Sequence, residues 1–532
     1  MGRPILCGEH PLNLDLSAPE SRLLGRVLNQ QAARYPTACF IKTEDSAISY
    51  EQMQALVRCY ARWLNQRGVG REDRVCLLMS SSIDYVALTL AVNSLGAIWV
   101  PVNTDYKGDW LLGTLRDSAP LLTIVSSDFE DRLAGFHDRI GEVISAQSLP
   151  VVGEFDEPLP EPDLYYGDTV SVMWTSGTTG TAKGVMQSHN TWIRSALSSV
   201  AMGEIAHGDT MFNVLPLHNS AAWVSNIYPA LLTGATCFLA KAFSAGRFWQ
   251  QVREHGVTHT LTLGAMHMFL WDMPVKDDDA DNPLRSVNMV PMPDSVRGPF
   301  KKRFGIDAIH QGFGQSEIMY LLRRRDDDQA EWPENSLGVS AEDIEICLLD
   351  DECAEVGDGV VGELCVKEKA PHVLFNGYFR NEAANANAFK GGWYHTGDLL
   401  RREGSHYFFV DRKSDLIRYK GRSVSSLALE SVVLKHPAIT QAAAFGITSA
   451  ELESEHEIML AVVLGDGMEL DEAVLARYIN DNAPYYFVPR YIEIMAELPL
   501  TPTQKIQKHK LRERGLTPDS WDAVSAGFEI ER

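Results

Sequence analysis

The residues best suited to chemistry concentrate first in TSGTTGTAKG, Thr175 to Gly184, where hydroxyl side chains alternate with glycines ahead of Lys183. Glycine lets backbone N–H groups approach an anion, hydroxyls add donors, and a lysine adds charge. That combination suits phosphate. It suits a mobile Gly/Ser/Thr turn equally well, and the stretch alone weighs the two evenly. Two common nucleotide motifs are excluded. A nucleoside-triphosphatase loop needs glycine before its lysine and Ser or Thr after it, but Ala182 and Gly184 stand there. In GFGQSE, Gly312 to Glu317, Glu317 occupies the place of the third glycine of a dinucleotide fingerprint. No G-x-S-x-G and no H-E-x-x-H occurs, which removes the commonest serine-hydrolase and zinc-protease patterns.

Four later stretches add to the first. GFGQSE combines an aromatic face, a hydroxyl and a carboxylate. GGWYHTGDLL places Asp398 just after a glycine turn, DRKSDLIRYKG carries Arg412, and TPTQKIQKHK carries Lys505 near the C-terminus. Taken singly, each has a plain reading: core aromatic, turn aspartate, surface arginine, solvated basic helix. Their order and spacing together, with ISYEQM from Ile48 and GAIWVPVN from Gly96, resemble the adenylate-forming superfamily. That superfamily holds acyl- and aryl-CoA synthetases, luciferases and the adenylation domains of peptide synthetases. The resemblance covers nearly the whole chain. The Met289 to Ser295 segment (MVPMPDS) and TPTQKIQKHKLRE look most like the carnitine and crotonobetaine CoA ligase branch.

The resemblance implies a two-step activation of a carboxylic acid. The carboxylate attacks the α-phosphate of ATP and expels pyrophosphate, and the thiol of coenzyme A then displaces AMP from the acyl-adenylate. It further implies ATP, Mg²⁺ and coenzyme A as cofactors and cosubstrates. Lys505 would neutralise charge at the reacting centre, where two anions must meet. Thr175, Ser176, Gly177, Thr178, Thr179, Gly180 and Lys183 would wrap the outer phosphates. Phe313 and Gly314 would face adenine, Ser316 would bond phosphate, and Glu317 would hold Mg²⁺, which prefers oxygen ligands. Asp398 would accept from the ribose hydroxyls with Arg412 beside it. His218 takes the place of a family histidine near the acyl pocket. Asn219, Trp223, Ala265 and Met292 are further pocket candidates, placed by position relative to the motifs.

Some positions depart from the family pattern. Ala182 replaces a proline, Phe313 a tyrosine, Ser316 a threonine and Gln504 a glycine. The prolines of MVPMPDS remove backbone donors where a glycine-rich adenine loop is usual. Ser414 stands at the hinge in place of Asp or Lys.

The elements that must position these residues follow a coarse pattern. Short apolar runs such as VCLLM from Val75 and AIWVPV from Ala97 read as buried strands. Helical stretches at Ile83 to Leu95, Ala221 to Leu232 and Phe248 to His255 lie between such runs, and the alternation predicts a mainly parallel, helix-covered sheet. From about Ser336 the runs are split by Asp-Asp and Gly-Asp-Gly, as in antiparallel hairpins. The expected architecture is α/β. Residues 1–410 form a large N-terminal domain whose β-rich part is about 336–410, 411–421 form a hinge, and 422–532 form a small mobile C-terminal domain.

The chain has 532 residues and a formal net charge of −23. That charge argues against non-specific nucleic-acid binding or an anionic membrane surface. The eight cysteines include no C-x-x-C pair and read as free buried thiols of a reducing compartment rather than a zinc site or disulfide framework. No signal-peptide pattern or membrane span is evident, so a cytoplasmic location is expected. The acidic run at Asp277 and the RRRDDD run at Arg323 read as solvated loops. No carrier domain is evident after Lys505, so a carrier-protein acceptor would be a separate chain. A homodimer and a non-catalytic nucleotide-binding homologue are the other readings kept open.

Overall fold

The computed structural model describes residues 14–136, 140–155, 162–175, 182–326, 332–419, 422–448, 456–501 and 505–531. The predicted alternation of strand and helix is present. Arg74–Leu78 and Ile98–Pro101 are parallel strands joined by the helix Ile83–Ser94. Ser82 starts this helix, its hydroxyl accepting from the Tyr85 N–H, as an N-cap should. They belong to a six-stranded sheet that ends in the antiparallel pair Thr169–Thr175 and Lys183–Ser188. A nine-stranded sheet has parallel strands at its centre, among them His259–Leu263, Ser286–Val290 and Ala308–Gln315, and antiparallel pairs at both ends.

The helix His189–Gly203 is buried all round up to Met202. A helix without a solvated face belongs inside a layered core, and here it follows directly on the strand Lys183–Ser188. Around it Tyr85, Trp99, Trp192, Trp223 and Tyr228 pack ring to ring, with centroids 4.9–6.3 Å apart. The predicted helix at Ala221 to Leu232 is present, with π-helical bonding from Trp223 to Ile227.

The hairpin texture after Ser336 is a five-stranded antiparallel sheet, which includes Ile344–Leu349, Val361–Glu368, Trp393–Glu403 and His406–Arg412. The chain then makes a tight turn. The Asp415 and Leu416 N–H groups both donate to Arg412 O, and Ser414 is exposed within the turn. Asp411 and Arg412 thus end a strand, while Ile417–Tyr419 starts a hairpin whose Ile417, Tyr419 and Val424 lie in a second hydrophobic core with Leu460, Leu475 and Ile492. The turn at 413–416 lies within the stretch 411–421 expected as the hinge, of which residues 420–421 lie outside the described residues.

Two charged stretches are less solvated than expected. Arg323 and Arg324 are buried in the strand Ile318–Arg324, where Arg324 pairs with Asp294 at 2.9 Å. Asp279 is buried against Arg303 at 2.7 Å. Cys353, in contrast, is exposed, while Cys59, Cys76, Cys237, Cys347 and Cys365 are buried and Cys39 half-buried. Among the described residues no helix is long and apolar enough to cross a membrane.

Candidate active site

Three elements bring the predicted residues together. The first is the antiparallel pair whose register sets Thr175 opposite Lys183, with the Thr175 hydroxyl donating to Lys183 O at 3.3 Å. This pair closes the base of the glycine–threonine loop, and Ser176, Gly177, Thr178, Thr179 and Gly180 themselves lie outside the described residues. The second is the hairpin of Ala308–Gln315 and Ile318–Arg324, whose two-residue turn is Ser316 and Glu317. A Cβ at Gly314 would run into Met319 O, so this position accepts only glycine. The Gln187 amide donates to Ser316 O, tying the turn to the first element. Phe313 packs beside Phe409.

The third element is the strand Trp393–Glu403 with its partner His406–Arg412, in which Asp398 faces Arg412. Asp398 is fully buried; Arg412 Nε lies 2.8 Å from its Oδ1, and the Gln315 amide donates to Oδ2 at 2.5 Å. Burial outweighs Arg412 and Gln315 and raises the Asp398 carboxyl to about 6.

Tyr378 joins the first two elements. Its hydroxyl donates to Glu317 Oε1 at 2.8 Å, and the Lys183 ammonium sits over its ring, 4.9 Å from the centroid. Backbone bonds from Phe379 N to Gly184 O and from Met186 N to Gly377 O fix it there. Among the described residues Glu317 Oε2 has no protein donor. A single free carboxylate oxygen fits Mg²⁺, which commonly keeps water and phosphate as its other ligands.

Lys505 comes from the other body. Its backbone N–H donates to the Thr501 hydroxyl at 3.0 Å, and Thr501 N donates to Lys505 O at 2.7 Å. The residue remains exposed, yet protein crowds its ammonium: desolvation and then Arg412 lower its pKa, and Asp398 opposes them. The charges of Asp398 and Arg412, about a hundred positions earlier, thus reach the Lys505 ammonium.

The pocket candidates divide. His218 is half-buried, and burial lowers its imidazole to about 4 against a smaller opposing effect of Asp105, so it is neutral at pH 7. Ala265 is exposed at the start of the helix Ala265–Trp271. Asn219 spends its side-chain oxygen capping a short helix, accepting from Ala221 N at 2.9 Å. Trp223 is fully buried in the aromatic cluster with its N–H donating to Leu217 O, and is core. Met292 is also buried, with its backbone N–H and carbonyl both bonded to the Gln311 amide. Of the residues that shape the site, Tyr378, Gln187 and the role of Gln315 escaped sequence reasoning. Gln315 was visible inside GFGQSE, but Tyr378 and Gln187 carried no spacing signal.

This arrangement has known counterparts. The AMP-binding enzyme family matches residues 28–379, and the AMP-binding enzyme C-terminal domain matches residues 428–505. The crotonobetaine/carnitine–CoA ligase of Salmonella heidelberg (strain SL476) is 27% identical over 491 residues, covering 87% of this chain and 93% of that protein. The fold is shared with ATP-bound MatB from Rhodopseudomonas palustris, at a TM-score of 0.82 and 20% identity over 93% of this chain and 98% of that one. It is shared equally with o-succinylbenzoate coenzyme A synthetase (MenE) from Bacillus subtilis in complex with AMP, at 0.80 and 24% over 91% and 98%. The chain belongs to the AMP-binding enzyme family. It is an AMP-forming acid–thiol ligase, which uses ATP to activate a carboxylic acid.

Proposed function

We propose that the two bodies share one adenylation site, that Mg²⁺ accompanies ATP there, and that coenzyme A is the thiol acceptor. The observation that supports this reading is the pair of buried Asp398 with Arg412, 2.8 Å apart, whose charges both act on the ammonium of Lys505 from the C-terminal body. Asp398 and Arg412 hold the ribose, which sets the α-phosphate within reach of the Lys505 ammonium. Lys505 then stabilises the charge that builds as the acid's carboxylate oxygen bonds to phosphorus and pyrophosphate departs. Lys183, steadied over Tyr378, and the hydroxyls of Thr175 and Ser316 hold the departing phosphates. Mg²⁺ bound at Glu317 supplies positive charge to the same oxygens. His218, uncharged, borders the acyl group without adding charge next to the acid. The resemblance to the crotonobetaine/carnitine–CoA ligase makes small and quaternary-ammonium acids the first candidates for a substrate panel.

The test is incubation of the purified chain with ATP, Mg²⁺, coenzyme A and a panel of acids. Acid-dependent AMP release with matching acyl-CoA is the expected outcome. AMP release without acyl-CoA would point to a carrier-protein thiol. No acid-dependent pyrophosphate exchange with any acid would overturn the proposal.

A further inference from the structure

Behind Asp398, on the antiparallel sheet, three side chains of different chemistry meet. Cys365 lies on the strand Val361–Glu368 directly opposite His395 in the ladder, and Glu363 lies two residues away on the same strand. The three are gathered by a bulge: between Glu363 and Cys365 the partner strand carries extra residues, with Gly397 at φ +72°. Bulges re-aim side chains in this way. His395 Nδ1 lies 3.3 Å from Cys365 Sγ and 3.1 Å from Glu363 Oε2, and all three donor atoms lie within 4.8 Å of one another. Cys365 is fully buried and the other two nearly so. Across the opposite edge Cys347 pairs in register with Cys365, so a second thiol continues the row.

Two groups, the Cys365 thiol and the Glu363 carboxylate, thus converge on one ring nitrogen that can offer at most one proton. A thiol, an imidazole and a carboxylate at these separations are the donor set and spacing of a tetrahedral zinc site, whose ligand distances of about 2.0–2.3 Å place donors between three and four ångström apart. We propose that Glu363, Cys365 and His395 bind Zn²⁺. The Cys365 thiol proton leaves to solvent as the zinc–sulfur bond forms.

The site already has a competitor. Lys413 Nζ lies 2.9 Å from Glu363 Oε2 and 3.1 Å from Asp351, while its backbone N–H donates to Gly397 O. Lys413 belongs to the turn that joins the two bodies. Zinc and the ammonium are therefore alternatives at one oxygen, and zinc uptake releases the Lys413 side chain from Glu363, leaving it Asp351 as partner.

Metal-free full-length protein titrated with Zn²⁺ against a chromophoric chelator, and with Co²⁺ as a spectroscopic substitute, tests the site. One equivalent of zinc and a thiolate-to-cobalt absorption band are expected. Cys365→Ser and His395→Gln should weaken zinc by about 100-fold or more and abolish the band, and Lys413→Met, which leaves all three donors in place, should tighten it by about tenfold. The Lys413→Met result does not depend on the ligand variants folding. No thiolate–cobalt band in the wild-type protein, or zinc bound equally well by Cys365→Ser and no tighter by Lys413→Met, would overturn the proposal.

Discussion

Asp398 shows how burial and function pull one carboxylate in opposite directions. Its ordinary value of 3.8 is raised to about 6 chiefly by burial, with Arg412 and the Gln315 amide acting against the rise. Because the folded value is above the unfolded one, the ionised form is disfavoured by folding. This group's contribution to stability is therefore best below pH 4, declines between pH 4 and 6, and is constant above. Ribose binding has the opposite sign, since only the carboxylate accepts from both hydroxyls. AMP affinity, measured by calorimetry, should be flat above pH 7 and fall by up to about tenfold per unit below pH 6, and Asp398→Asn should bind AMP weakly with that step removed. A pH-independent wild-type affinity between pH 5 and 7 would contradict the assignment. Tyr378 carries a second residue-level prediction. Tyr378→Phe removes one hydrogen bond to a carboxylate, a loss of about 1.5–3 kcal/mol, so the magnesium concentration for half-maximal adenylation should rise by about tenfold or more. An unchanged magnesium titration would separate Tyr378 from Glu317.

At the scale of elements, the hairpin carrying Ser316 and Glu317 depends on Gly314, because the Met319 carbonyl occupies the space a Cβ would need. Gly314→Ala should destabilise the chain by about 1–3 kcal/mol through overpacking, visible in a thermal melt, and should lower ATP affinity more than any neighbouring substitution. A melt and an affinity both like the wild type would show that the hairpin gives way freely. GFGQSE, GGWYHTGDLL and the strand–helix alternation were legible in the sequence because they encode local demands: turns, caps and apolar runs. Arg323 and Arg324 were not. A charged run reads as solvated, and what buries Arg324 here is a counter-charge from Asp294, thirty positions away. The cluster of Glu363, Cys365 and His395 was hidden for the same reason. Its ligands are assembled by strand register and a bulge rather than by the short spacings that mark a zinc motif. Trp223 errs the other way, since an aromatic beside a site motif is as well suited to filling a core, which is where it lies.

For the whole molecule, a large and a small body are joined by a four-residue turn. The pairing of Arg512 with Asp415 at 2.7 Å, and of Lys508 with Glu430 at 2.7 Å and the Ser426 hydroxyl at 2.6 Å, holds the C-terminal residues on the turn that follows Arg412. The two-body organisation was legible as a change of texture after Asp411. The proposed joint action of Lys505 and Asp398 was implied only by resemblance, because no local pattern links residues so far apart. Lys505 is proposed to serve acyl-adenylate formation and not the later thiol step. Lys505→Ala, assayed separately in the two half-reactions, tests it most directly. Acid-dependent pyrophosphate exchange should fall by about 10²–10³-fold or more, the loss expected for one electrostatic stabiliser, while acyl-CoA formation from supplied acyl-adenylate stays near the wild-type rate. Equal losses in both half-reactions would contradict the account.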